Sequence, residues 1–196
     1  DDPATMAATN DLAFMHGEAG QFTLSESLYR TTLGRARSVL GPDDAFVAET
    51  LAGLAKVLVF QRRSDDAVAV ADEALTIAIR VHGADDHPEV LPYRARLAGA
   101  VGIGRNTDRA FELTAPLLED QRRVLGPRDL ATLDTMTRLA VIAITQRRID
   151  DARTLLLDAT TRYDAIAPRH PSALAARGHL GTCLLYTSPS PRDRSL

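Results

Sequence analysis

The side chains best suited to chemistry sit in a few places along this sequence. His82, Asp85, Asp86 and His87 put two imidazoles and two carboxylates into one short stretch. That is donor chemistry for zinc, which needs a closed set of converging ligands. Nothing else in the sequence closes the set, so no metal is expected. Gly102-Ile103-Gly104 begins like a phosphate-binding glycine loop. A dinucleotide fingerprint needs a preceding strand and a third glycine; here the third position is Thr107 and the context is helical. Asp65-Asp66 and Asp150-Asp151 are paired carboxylates. They recur at one position of a repeating pattern, which reads as helix capping and not as acid–base catalysis. His16 and His179 fall in helical stretches with no partnered nucleophile, and no HExxH pattern occurs. No catalytic, cofactor-binding or metal-ligating residue emerges, and the chain reads as a non-enzyme that needs no cofactor.

The composition excludes further classes. The chain has 196 residues, 45% hydrophobic and 25% charged, enough for one sizeable core. Aromatics make up 5% and Trp is absent, so that core must rest on Leu, Val, Ile and Ala. The formal charge of −3 comes without a basic stripe, which argues against nucleic acid as a partner. Lys56 is the only lysine among 23 basic residues, a bias of a GC-rich bacterial genome more than of phosphate recognition. The longest apolar run, Leu139 to Ile144, is far too short to span a bilayer, so no membrane partner is expected. A lone cysteine, Cys183, builds neither an internal disulfide nor a zinc site.

The elements that position these residues are repeats. Leu-Ala pairs fall at Leu12-Ala13, Leu54-Ala55, Leu97-Ala98 and Leu139-Ala140, with Leu180-Gly181 as a fifth; the spacings are 42, 43, 42 and 41. Thirteen residues after each of the first four leucines stands a small residue: Ser25, Ala67, Ala110 and Ala152. Units close on Val39-Leu40-Gly41-Pro42, Val81-His82-Gly83, Val124-Leu125-Gly126-Pro127 and Ile166-Ala167-Pro168. They open on Asp1-Asp2-Pro3, Asp86-His87-Pro88 and Arg169-His170-Pro171. In the second unit, Val47, Leu51, Leu54, Ala55 and Leu58 recur at three- and four-residue steps, a helix face. After a polar break from Gln61 to Asp66, Ala67, Val70, Ala71, Ala74, Leu75 and Ala78 make a second stripe, with Ser64 or Asp65 as its cap. Each unit is therefore a helix hairpin, and the small residue lets two backbones approach. A lone hairpin cannot bury both stripes; stacked hairpins can.

This combination resembles the tetratricopeptide repeat family, in its 42-residue kinesin-light-chain-like form. The resemblance covers residues 2–182. It implies an all-α fold, a right-handed α-α superhelix of antiparallel hairpins with about four and a half repeats. The units run 2–43, 44–86, 87–128 and 129–169, with a partial unit at 170–182. In that family the first helices line a concave groove. Carried over by position, a peptide-binding face would include Asn10, Phe14, Glu49, Ala52, Lys56, Asp134, Thr137 and Val141. Phe60 shares those first helices, whereas Phe111, on a second helix, reads as packing between repeats. The sequence departs from the family in places. The usual glycine between helices survives only as Gly20, with Arg62, Arg105 and Arg147 in its place. The third unit carries Pro92, Gly99, Gly102 and Gly104 in its first helix and Pro116 in its second, all unfavourable to helix. Asn10 alone matches the family's asparagine-rich inner surface.

Residues 183–193, Cys-Leu-Leu-Tyr-Thr-Ser-Pro-Ser-Pro-Arg-Asp, resemble a translated transposon-type sequencing adapter, residue for residue. Residues 183–196 are accordingly expected to be a non-native, disordered tail. The genuine sequence would end near Gly181 or Thr182, without cysteine, and the natural protein would continue past it.

The function implied is a module that binds a peptide or partner helix in its groove. The alternative is a regulatory or sensor region of a larger bacterial signalling protein, a serine/threonine kinase or nucleotide-binding switch ATPase whose catalytic domain lies elsewhere. A cytoplasmic location is expected.

Overall fold

The computed structural model describes residues 2–104 and 106–187. Among them are nine α-helices and no strand. They are α1 (Pro3–Glu18), α2 (Phe22–Val39), α3 (Ala45–Phe60), α4 (Ser64–His82), α5 (Leu91–Ile103), α6 (Thr107–Val124), α7 (Leu130–Thr145), α8 (Ile149–Ile166) and α9 (Pro171–Thr187). The chain divides into two compact units, Asp1–Asn106 with α1 to α5 and Thr107–Leu196 with α6 to α9. That division falls inside the stretch 87–128 expected to form one repeat. Arg105 lies outside the described residues.

In the first unit α1 pairs with α2 and α3 with α4, while α5 lies on α3 and α4. In the second, α7 pairs with α8, α6 packs on α7, and α9 rests on both α7 and α8. First helices also touch one another: α1 meets α3, α3 meets α5, and α7 meets α9. Second helices keep their backbones farther apart, with no close backbone approach of α2 to α4 or of α6 to α8 among the described residues, but side chains bridge them, Arg37 of α2 pairing with Glu73 of α4.

The hairpins close where the small residues stand. Ser25, Ala67, Ala110 and Ala152 are all fully buried. At the first of these the approach is direct, because the Ser25 hydroxyl donates to the backbone carbonyl of Ala13 at 2.6 Å. The α3 stripe Val47, Leu51, Leu54, Ala55 and Leu58 is buried throughout. On α4, Ala67, Ala71, Ala74 and Ala78 are buried with Ile77, while Val70 and Leu75 lie half-buried beside them. In the second unit Leu133, Met136, Ala140, Ala152, Leu156 and Tyr163 form the core, and Phe111 packs on its edge as expected.

Helix starts differ from the expected capping scheme. Ser64, Asp65 and Asp66 lie inside the first turn of α4, and Asp150 and Asp151 inside that of α8. There they favour the positive end of the helix dipole and pair with arginines, Asp66 with Arg63 and Asp151 with Arg148. The capping carboxylates are Asp44, which accepts from the Phe46 N–H at 2.8 Å, and Asp129, which accepts from Ala131 at 2.9 Å. His87 and His170 stand at the same repeat position. Each imidazole Nδ1 accepts a backbone N–H, from Glu89 at 3.2 Å and from Ser172 at 3.3 Å. His87 thus acts in the local turn before α5, and His82 stacks on it at 4.9 Å. Pro92 is harmless, because α5 begins at Leu91 and places it in the first turn, where no N–H is required. Pro116 lies inside α6.

The tail expected to be disordered from residue 183 departs from that expectation over its first residues. Helix α9 continues to Thr187, and Cys183 is buried in the core of the second unit. The reason is register: Cys183 falls three residues after Leu180, the position that Val57 and Ile142 occupy after Leu54 and Leu139, and both of those are buried. Residues 188–196 of the tail lie outside the described residues.

Arg62 and Arg147 take left-handed backbone angles, φ 63° and 60°, at the position where Gly20 has φ 77°. A side chain there is strained, whereas glycine is not. Replacing either arginine by glycine (Arg62→Gly, Arg147→Gly) should stabilise its unit by up to about 1 kcal/mol, less the entropy glycine adds to the unfolded chain. A urea midpoint that fails to rise in both variants would refute this.

Candidate protein-binding face

In the first unit the face is built from two helical stripes. Asp11, Phe14 and Glu18 lie three and four residues apart on α1, and Glu49, Gly53, Lys56 and Phe60 follow the same steps on α3. Lys56 ties the stripes together. Its ammonium lies 2.5 Å from the Glu18 carboxylate, 5.0 Å from the Phe14 ring centroid and 6.0 Å from that of Phe60. Phe60 in turn stacks on Phe22, with centroids 5.4 Å apart and planes 10° from parallel. Phe14 and Phe60 are each 50% exposed, a costly placement for phenylalanine in water. Beneath them lies Tyr29 of α2, buried against α3 at Gly53. A β-carbon on Gly53 would come within 2.5 Å of the tyrosine ring, so only glycine fits. The hollow between these side chains measures about 10 Å³. It has room for barely one water, so this is a contact surface and not a small-molecule pocket.

Asn10 and Thr50 join α1 to α3 just behind this face. The Asn10 side-chain amide donates to the Thr50 hydroxyl at 2.9 Å, and that hydroxyl donates to the Phe46 carbonyl at 2.8 Å. Asn10 is buried, and its amide oxygen lacks a partner. It holds two first helices together instead of facing outward.

The second unit arranges its residues differently. Tyr163 of α8 is fully buried and donates its hydroxyl to the Asp134 carboxylate of α7 at 2.5 Å. Thr137 is also buried, with its hydroxyl on the Leu133 carbonyl at 3.0 Å. Burial pushes the Tyr163 phenol well above its ordinary range, and the neighbouring Asp134 charge pushes the same way, while Thr137 and Ser172 oppose it. Asp134 and Thr137 thus converge on a core tyrosine. Val141 is half-buried on the same helix.

Of the eight residues carried over by position, the structure therefore brings Phe14 and Lys56 together in one cluster. It leaves Glu49 exposed and Ala52 half-buried beside that cluster, and turns Asn10 and Thr137 inward. Sequence reasoning missed Tyr29 over Gly53 and Tyr163 over Asp134. One signal was available for the first: Gly53 is the single glycine at a repeat position that elsewhere holds Asp11, Arg96 and Arg138. Among the described residues no group of three or more His, Cys, Asp or Glu side chains could hold a metal ion. No described helix is long and apolar enough to cross a membrane.

Sequence profiles of the tetratricopeptide repeat match residues 4–80 and again residues 132–172. The chain belongs to the tetratricopeptide repeat family. No curated protein matches it by sequence. Among solved structures, a putative kinesin light chain from Podosopora anserina with nearly identical TPR-like repeats is similar at a TM-score of 0.78 and 19% identity, over 94% of this chain and 88% of that one. BtubC from P. vanneervenii is similar at 0.77 and 22%, over 94% and 75%. A Rap protein complexed with Competence and Sporulation Factor is similar at 0.75 and 14%; the match takes in 91% of this chain but only 48% of that protein. At these identities the likeness is one of fold, an all-α helical-repeat superhelix.

Two measurements probe these tetratricopeptide contacts. Gly53→Ala should cost about 1–3 kcal/mol, because Tyr29 must move to admit the methyl group; an unchanged melting midpoint would show that the ring does not rest there. Tyr163→Phe should cost about 1.5 kcal/mol near pH 7, the value of a hydrogen bond to a charged group. A phenol raised by folding stabilises fully below its unfolded pKa of about 10 and loses that contribution as pH climbs beyond it. The wild-type midpoint should therefore fall above about pH 10, and fall less steeply in Tyr163→Phe. Some slope should persist, since burial also raises Tyr29 and Tyr93. Identical alkaline slopes would contradict the assignment.

Proposed function

We propose that this chain is a protein-interaction module whose first helices hold a peptide or a partner helix, with affinity resting on a few anchoring side chains. The observation that carries this reading is the pair of half-exposed phenylalanines, Phe14 and Phe60, gathered around Lys56 on neighbouring first helices. Large aromatic side chains beside a polar rim are the usual anchors of protein recognition. Glu49 and Ala52 would extend the face in the first unit, and the half-buried Val141 would belong to its counterpart in the second, where Asp134 and Thr137 are taken up by the core. The mode is non-catalytic, by shape and polar contacts along an extended surface.

A second reading has one observation in its favour. The chain spans 64% of RapI and 48% of the Rap protein solved with Competence and Sporulation Factor. In that reading the chain is a repeat region of a larger bacterial signalling protein, and the proposal that this protein is a serine/threonine kinase or a nucleotide-binding switch ATPase with its catalytic domain elsewhere goes beyond the likeness of fold. The two readings share the face and differ in what its occupancy controls.

Selection of peptides from a random display library on the full chain tests the shared claim. Selected peptides should lose at least about tenfold in affinity for a Phe14→Ser/Phe60→Ser variant of unchanged helicity, the loss expected for removing anchoring aromatics. Equal affinity for wild type and variant would place binding elsewhere.

A further inference from the structure

The face on the first unit carries a charge pattern that selects among peptides, and this inference rests on the proposed binding role. The two stripes hold three carboxylates, Asp11, Glu18 and Glu49. Lys56 is matched by Glu18. Asp11 and Glu49 are exposed, and among the described residues neither has an ion-pair or hydrogen-bond partner. Asp11 lies one turn from Phe14 on α1, and Glu49 one turn from Gly53, against which Tyr29 rests.

Lys56 already sits over both Phe14 and Phe60, so the cation these rings attract is supplied by the chain itself and what they offer a partner is apolar area. The surface thus offers two half-exposed rings with two unmatched carboxylates beside them.

We infer that the first unit recognises a peptide segment in which arginine or lysine stands next to an aliphatic or aromatic residue. The apolar side chain covers Phe14 and Phe60, and the cation meets Glu49 and Asp11. Arginine suits the site better than lysine, because its planar guanidinium presents a fork of donors to carboxylates. An acidic segment would meet repulsion from the same two carboxylates.

Four synthetic peptides of equal length test this on the full chain by fluorescence anisotropy: leucine–arginine, leucine–serine, leucine–glutamate and serine–arginine alternations. The leucine–arginine peptide should bind about five- to tenfold more tightly than the leucine–serine one, as two partly exposed ion pairs allow. That advantage should shrink with added salt. Asp11→Asn/Glu49→Gln should remove most of it. Three results overturn the inference while leaving the binding role intact: equal affinity of the leucine–arginine and leucine–serine peptides, tightest binding of the leucine–glutamate peptide, or serine–arginine binding as tight as leucine–arginine. If no peptide binds while circular dichroism shows the helices intact, the inference and the binding role fall together.

Discussion

Two antiparallel helices approach closely only where one of them presents almost no side chain, and the rest of this structure depends on that contact. Ser25, Ala67 and Ala152 supply it in the pairs α1–α2, α3–α4 and α7–α8, and all are buried. A bulky residue at any of them would push two backbones apart and open the core beside the Leu-Ala pairs. With so few aromatic residues in the chain, little else could fill the gap. The Ser25 hydroxyl shows how close the fit is, since it reaches the Ala13 carbonyl on the facing helix. The hairpin is the unit of folding here, and stacking is what buries its second stripe.

Close packing of hairpins has a consequence for surfaces. First helices approach one another within each unit, whereas second helices are bridged by long side chains such as those of Arg37 and Glu73. Side chains on first helices are therefore brought into one another's reach across the repeat spacing. Lys56 with Glu18 and Asn10 with Thr50 are such pairs, about one repeat apart in sequence and in direct contact in space. The same geometry that consumes Asn10 as a tie leaves Phe14 and Phe60 at the surface, because each lies farther round its helix. In the second unit a large buried tyrosine changes the balance. Tyr163 stands where the earlier hairpins have Ala36 and Ala78, and its hydroxyl needs an acceptor, which Asp134 provides. A buried phenol without one would cost more than the bond returns.

The helix pattern was legible because apolar residues recur at three- and four-residue steps and the units recur every 41 to 43 residues. Ends were harder to read. Asp65 and Asp150 looked like caps by composition, yet the chain enters α4 and α8 through Arg62 and Arg147 in left-handed conformation, which shifts both helix starts and places the aspartates inside the first turn. Pro92 looked disruptive because the start of α5 could not be seen to fall at Leu91. The tail was read by its codons, and codons carry no information on whether Cys183 falls in register with the core. On the face, Phe14 and Lys56 were identified from repeat position. Position could not distinguish them from Asn10 and Thr137, which also sit on first helices but turn inward.

The sequence by itself determined the repeat, the hairpins, the family and the residues that lie on first helices. These follow from local periodicity and from small residues at fixed spacing, and both are properties of the chain read one window at a time. Only the tertiary structure decided which of those residues remain free to meet a partner. Exposure of Phe14, burial of Asn10 and capture of Asp134 by Tyr163 each depend on a side chain from another helix, 29 to 42 residues away in three of these contacts. Such contacts arise from how helices stack, and that depends on the sizes of side chains on both partners at once.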